Sequence, residues 1–446
     1  MSADTEIAQA LIDVAGRAGA DQADALVIES QSVHIGVAAR DLEEVERAEA
    51  REVGLRVLVG QCQASVASSD LSPAALTEMA ERAVSIARAT PEDRYAGLAR
   101  PEQTGGHGDP DALELADPAD PPSPDALEAL ARRAEEAALG VQGVTQVEQA
   151  HAGYDATRIT LVATNGFAGS YRRTSMSIGA SALAGEGLGR ERDYAGESRR
   201  HAADLPTPEE IGTRAGDWAV ERLNPKKPPG GSVPVLFDQR CARSLIGHVL
   251  SAVNGGSVAR GASWLMDQMG EQVLPTGLDV IEDPLRLRGA SSRPFDAEGI
   301  AARPSPIIQD GRLVRWVLDC ATARKLGLET TGNARRGLAG APSPGSTNIA
   351  LTQGSDGRED LIRAMGTGLI VTAMIGASIN ATTGDYSRGA SGFWVEDGEI
   401  AFPVNEVTIA GSLPEMMRSI RPANDADPNR AQVVPSLLVQ GLTVGA

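Results

Sequence analysis

Cys241–Asn254, CARSLIGHVLSAVN, followed by Gly255 and Gly256, is the stretch from which the second half of the chain is read. Leu245, Ile246, Val249, Leu250 and Val253 recur at three- and four-residue spacing, which predicts one helix with an apolar stripe. Asn254-Gly255-Gly256 then supplies residues that tolerate the left-handed conformation at a helix end. His248 lies on the inward side of that helix. A histidine-based metal helix needs a second ligand about one turn away and a carboxylate to act as general base. The positions that would supply them are Arg243 and Ser244, a fixed cation and a hydroxyl. By chemistry alone, His248 reads as a core histidine with its polar atoms satisfied, rather than as a ligand.

The longer segment RSLIGHVLSAVNGGSVARGASWLMDQMGEQVLP resembles the TldD/PmbA (TldE) family of bacterial peptidase proteins, and its PmbA/TldE branch in particular. Further blocks carry the same resemblance: RPFDAEGIA, DGRLVRWVLD, ATARKLGLETTGNARR, AMGTGLIVT, GDYSRGASGFWVEDGEI and PVNEVTIAGS. It spans nearly the whole chain, weaker before residue 100 and strongest from Val233 onward. In the TldD branch the helix carries His-Glu-x-x-x-His, and a cysteine near the C-terminus completes a metal site. Laid on this chain, that motif falls on Arg243, Ser244 and His248, and the last cysteine is Cys320. The resemblance therefore implies no catalytic residue and no metal ligand here, with zinc expected only in a TldD-type partner. It also implies a large two-domain fold, a dimer with a TldD-like subunit or with itself, and action on small or unfolded peptides. The alternative is a homodimeric scaffold or regulatory binding protein, for example one modulating DNA gyrase inhibitors, with no proteolytic role.

Composition narrows the remaining classes. The 446 residues suggest two or three structural units. Aromatic residues make up 3% of the chain, so the core must be built from Ala, Val, Leu and Ile. The 41 basic and 60 acidic residues leave a net charge of −19, which argues against nucleic acid and anionic lipid as partners. Cys62, Cys241 and Cys320 form no CxxC pair and read as reduced thiols. With acids in MSADTEIAQALIDVAGRAGA and no run of spanning length, the expected compartment is the cytoplasm.

The pattern along the chain predicts an α+β fold. A helix over 4–18 is followed by period-two segments ALVIE, VHIGVAA, EVGLRVLV and QASVASS, expected as four strands with a turn at Gly60-Gln61. Ser72-Pro73 and Ser123-Pro124 each cap a helix, to about Ala89 and Gly140. Between them, 101–124 is acidic and proline-rich, a surface loop or linker containing His107. Asn165-Gly166 marks a hairpin with Arg172 and Arg173 on its second strand, read as a charge-solvated edge. Gly185–Ser198 is expected to be mobile, Thr207-Pro-Glu-Glu210 opens a helix, and His151 and His201 belong to no motif.

These features give an N-terminal α+β domain, 1–223, with sub-units 1–100 and 123–223, and helices on one face of an antiparallel sheet. A C-terminal β-rich domain, 232–446, is expected as a partly closed barrel with the His248 helix packed on it. Asp310-Gly311 and Asp397-Gly398 mark its hairpins. Gly384–Gly392, GDYSRGASG, is expected as a loop with two readings. In one, Asp385, Tyr386, Ser387, Arg388 and Ser391 contact substrate or partner. In the other it is a bulged hairpin holding an internal Asp385–Arg388 pair. Asp238, Glu298, Asp310 and Asp319 are read as solvated carboxylates, because their spacing shows no acid–base logic.

Overall fold

A computed structural model describes residues 2–445. Helix α1 (Ala3–Ala18) opens on the Ser2 hydroxyl, which accepts from the Thr5 amide, and closes on Gly19 at φ 101°. Strands β1 (Gln22–Ala38), β2 (Asp41–Val59) and β3 (Cys62–Ser68) follow, then α2 (Pro73–Ala89) and α3 (Pro124–Leu139). Strands β4 (Val144–Ala163), β5 (Ala168–Ala184) and β6 (Glu191–Arg199) precede α4 (Pro208–Glu221). All six strands join one antiparallel sheet in the order β3-β2-β1-β4-β5-β6. The stretches 1–100 and 123–223 thus share a single sheet, through the long β1–β4 pairing.

The four helices lie on one face of this sheet. α1 and α2 bury Leu11, Ala15, Met79 and Ala83 against Ala25, Val27, Leu55 and Val57. α3 and α4 bury Leu127, Ala131, Ile211 and Ala215 against Ile35, Ala152 and Ile178. The small side chains let helices sit close to the sheet. Gly212 is an instance: an added Cβ would meet the Ala134 carbonyl oxygen at 2.1 Å. Period two sends Leu26, Leu58 and Leu161 to the other face, where they pack with Phe167 and Phe295.

Three expectations change here. ALVIE and VHIGVAA form one strand, β1, because Ser30–Ser32 continue the pairing with both β2 and β4. Strand β2 also incorporates the charged run Asp41–Glu52, which is mostly exposed and carries no apolar alternation to announce it. Gly185–Ser198 does not stand as a mobile segment: Glu191–Arg199 is β6, with Glu191, Asp193, Ala195 and Glu197 buried.

Strand β7 (Gly231–Phe237) leads into α5 (Gln239–Ala252). After a stretch of short helices, short strands and turns come α6 (Arg358–Met365), β8 (Gly368–Ile379), β9 (Asp385–Glu396), β10 (Glu399–Ser412) and β11 (Leu437–Gly445). These strands pair in the order β10-β9-β8-β7-β11, and β11 returns to β10 through Thr408–Ala410, closing a five-stranded barrel. The α+β class and the barrel follow the sequence reading, with closure complete. One set of barrel side chains, including Val235, Phe237, Val371 and Trp394, packs with α5, while Leu236, Ile370 and Val395 pack with α6. Asp310 and Asp397 sit at φ 48° and 52° in the turns foreseen for them.

GDYSRGASG is corrected from loop to strand. Residues from Asp385 onward belong to β9, hydrogen-bonded to β8 on one side and β10 on the other, with register shifts on both. The internal Asp385–Arg388 pair does not form. Thr383 donates to Asp385 Oδ2 at 2.5 Å, and Arg388 Nε donates to the Gly376 carbonyl at 2.7 Å. The Gly392 position is glycine because the Ile370 carbonyl oxygen lies 1.8 Å from where a Cβ would stand.

Candidate functional site

Helix α5 starts at Asp238, whose carboxylate accepts from the Arg240 amide at 2.9 Å. Cys241, Ala242, Leu245, Ile246, Val249 and Leu250 form its buried stripe. Arg243, Ser244, Gly247 and His248 share the half-buried opposite side, as 3.6-residue periodicity requires. Although adjacent on the helix, the three side chains do not converge. The His248 ring meets Tyr386 of β9 edge-on, with centroids 5.9 Å apart. Its Nε2 is buried without a hydrogen-bond partner, and burial together with nearby Arg388 lowers its pKa, leaving the imidazole neutral at pH 7. The reading of His248 as an inward, satisfied core histidine is corrected: the ring is half-buried on the side away from the core stripe, and its Nε2 has no partner.

Ser244 Oγ donates to the Cys241 carbonyl at 2.8 Å. Arg243 instead faces a cavity of about 450 Å³ that also meets Tyr194, Glu197, Trp218, Arg240 and Arg430. Desolvation and the neighbouring Arg430 charge lower its pKa. Burial, with Asp238 adding to it, pushes the Cys241 thiol up to about 12, the reverse of what a metal thiolate needs. A guanidinium, a hydroxyl committed to its own helix and one imidazole do not fit a zinc ion. Among the described residues no group of three or more His, Cys, Asp or Glu is arranged to hold a metal ion.

The cavity beside Arg243 ties the N-terminal sheet to α5. Glu197 of β6 accepts from Arg199 at 2.8 Å, from Arg214 of α4 at 3.2 Å and from Arg430 at 2.5 Å. Asp193 accepts from Arg240, whose guanidinium lies 3.8 Å from the Trp218 ring centroid. This lining offers guanidinium donors to carbonyl or carboxylate oxygens and contains no base-activated nucleophile. Of the β9 residues singled out in the sequence, Tyr386 and Ser391 are closed off at 2% exposure each. Tyr386 donates weakly to Met374 Sδ at 3.4 Å, and Ser391 to Asn405 Oδ1 at 2.7 Å. Asp385, Ser387 and Arg388 keep solvent access.

The other histidines stand apart. His34 pairs with Asp155, His107 packs its ring on Phe167 and Phe295, and His201 Nε2 lies 2.9 Å from the Glu114 carbonyl. His151 lies beside Gly179, where an added Cβ would meet its ring.

Two of the four carboxylates read as solvated are buried. Glu298 and Asp319 are 5% and 1% exposed, near buried Asp296 and Cys320. Glu298 Oε2 accepts from the Cys320 amide at 2.9 Å, while Asp296 accepts from the amides of Glu298, Ile300 and Ala334. Burial and then the Asp296 charge push Glu298 up to about 7. The sequence signal for this cluster is thin, since Asp296-x-Glu298 and Asp319-Cys320 meet only through the fold.

Comparison with known proteins now places the chain. Residues 23–87, 117–223 and 230–446 match, in turn, the first, central and C-terminal domains of the PmbA/TldA metallopeptidases. Metalloprotease PmbA of Escherichia coli O157:H7 is 37% identical over 90% of this chain and 86% of its own length. The PmbA homolog of Haemophilus influenzae is 34% identical over 95% and 91%, whereas the TldD homolog of the same organism is 26% identical over 59% and 57%. A crystal structure from Bacteroides thetaiotaomicron, described as a modulator of DNA gyrase, superposes with a TM-score of 0.92 at 26% identity, covering 100% of this chain and 99% of that one. TldE from Thermococcus kodakarensis shares the fold, with a TM-score of 0.85 at 19% identity over 99% of this chain and 100% of its own. On this likeness across nine-tenths of its length, the chain belongs to the PmbA/TldD metallopeptidase family.

Proposed function

We propose that this chain is a PmbA/TldE-type subunit of a cytosolic TldD/TldE-like metallopeptidase acting on small or unfolded peptides, and that it does not itself perform the cleavage. The observation that carries the reading is the divergence of Arg243, Ser244 and His248 on α5. One turns to a cation-rich cavity, one to its own helix and one to Tyr386. Peptide hydrolysis needs metal-bound water with a carboxylate base, or a hydroxyl or thiol paired with a histidine. The residues on this helix supply neither. The chain's part is then to shape the substrate path and support the partner's zinc site. Asp385, Ser387 and Arg388, together with the Arg243 cavity, are the surfaces offered to peptide or partner. No helix among the described residues is long and apolar enough to cross a membrane.

The dimer, with a TldD-like subunit or with a second copy, is expected to bury more than about 2,000 Å², as obligate interfaces do. Mixing the purified chain with a TldD-type protein tests this reading. The pair should cleave an unstructured peptide in a chelator-sensitive way, and the isolated chain should not exceed background. Chelator-sensitive cleavage by the isolated chain would refute the non-catalytic assignment. A second reading, a homodimeric regulatory binder, draws on the relatives described as modulators of DNA gyrase. Absence of cleavage with the partner present would favour it.

A further inference from the structure

On the sheet face turned away from α1–α4, a cavity of about 290 Å³ opens between the strands and segments of the C-terminal half. Its floor is apolar: Leu26 and Ile28 from β1, and Ile159 and Leu161 from β4. Phe295 and Tyr171 form a wall, with ring centroids 5.4 Å apart. Phe167 and His107 stack behind Phe295, at 5.0 and 5.5 Å. The chain has only five phenylalanines and five tyrosines, so this concentration of rings at one place is a departure from its composition.

Three guanidinium groups lining the same cavity have no ion-pair partner among the described residues: Arg173, Arg293 and Arg335. Arg293 gives two N–H groups to the carbonyls of Ala334 and Gly332, and its Nε is buried without a partner. Arg335 donates to the Ser346 carbonyl. The Arg173 side chain makes no hydrogen bond among the described residues. The one carboxylate on the wall, Asp296, is occupied by three backbone amides. Arg200 lies behind Ala290 with carbonyl partners only, and burial together with Arg173 pushes it down to about 10. Desolvation and the charges of Arg293 and Arg173 likewise depress Arg335. Like cations gathered in a partly dry site cost free energy unless an anion joins them. Asp296 offsets part of the Arg293 charge, and the excess of guanidinium groups over carboxylates that remains on the lining points outward to an anionic ligand.

We propose that this cavity binds a carboxylate carried on an apolar body, as at the C-terminal residue of a peptide ending in leucine or phenylalanine. Arg173, Arg293 and Arg335 receive the carboxylate, and the floor and ring wall receive the side chain. The lining has no carboxylate free to hold sugar hydroxyls, and Ser292 Oγ is held by Arg286 and Asn348, so a nucleotide would find anion contacts but few partners for its base and ribose. The peptide source of the carboxylate rests on the peptide-handling reading above; the carboxylate chemistry does not.

Calorimetric titration of the isolated full-length chain tests it with three probes: N-acetyl-Ala-Ala-Phe as the free acid, the same peptide as its C-terminal amide, and 3-phenylpropanoate. The free acid should bind, and the amide should bind at least about tenfold more weakly, as loss of a charge-assisted contact implies. Arg173→Gln and Arg335→Gln should each weaken the acid by a similar factor without lowering the thermal midpoint of the ligand-free chain. Arg47→Gln, on the exposed part of β2, should leave binding unchanged. 3-Phenylpropanoate binding as tightly as the peptide acid would refute the peptide source and assign the cavity to free acids. Equal binding of acid and amide, no binding of either acid, or indifference to both cavity variants would overturn the proposal. Cleavage is not read in this titration, so failure of the subunit reading and failure of this site are seen in different experiments.

Discussion

Replacing Glu298 with glutamine should change how stability depends on pH. In the folded chain its carboxyl holds its proton up to about pH 7, because burial and the Asp296 charge both oppose ionisation. Unfolded, it should titrate at the ordinary 4.5. Between those values the folded state binds more protons than the unfolded one, so the stability this group contributes is complete below pH 4.5. It is lost as pH rises through 7. Each tenfold change in proton affinity is about 1.4 kcal/mol, so ionising Glu298 in place costs the folded state on the order of 3 kcal/mol by pH 8. Glutamine keeps an acceptor for the Cys320 amide and removes the charge. Urea unfolding of parent and Glu298→Gln at pH 5 and pH 8 reads the difference. The variant should be near parity at pH 5 and more stable than the parent at pH 8, by up to about 3 kcal/mol. A stability difference constant across that range would refute the buried, proton-holding assignment.

Asp24 has the opposite sign. Although burial alone would raise its pKa, Arg336 and Arg56 hold it below the ordinary carboxylate range, so its contribution is present above pH 3.8 and lost on acidification. Because Arg56 and Arg336 would be left buried, Asp24→Asn should cost about 3–5 kcal/mol at pH 7, measured by urea unfolding. His248→Phe removes an unpartnered buried nitrogen while keeping a ring against Tyr386. Stability should be unchanged or rise by about 1 kcal/mol, and partner-supported cleavage should persist. Gly392→Ala drives a methyl into the Ile370 carbonyl, 1.8 Å away, and should abolish accumulation of folded chain, judged by size-exclusion recovery.

What was legible in the sequence was local. The α5 stripe, the serine and threonine caps, and the Asp-Gly and Asn-Gly turns each follow from a few neighbouring residues, and each stands in the structure. The length of β2 was not legible, because Asp41–Glu52 gains strand structure by pairing with β1 rather than by burying one face. GDYSRGASG reads as a loop because charged and hydroxyl residues alternate with glycines there, yet at Gly392 the glycine serves a close backbone approach inside a three-strand pairing. The Glu298–Asp319 cluster and the Asp24–Arg56–Arg336 group depend on contacts between residues tens to hundreds of positions apart, for which no spacing rule exists. Of the site, the residue types at 243, 244 and 248 could be read, but not the directions in which their side chains part.

The non-catalytic assignment rests on α5 being unable to hold zinc, so the most direct test is elemental analysis of the purified chain after exposure to zinc and desalting. The account predicts far less than one zinc per chain, with no difference between the parent and His248→Ala. One tightly held zinc per chain, lost on His248→Ala, would contradict it.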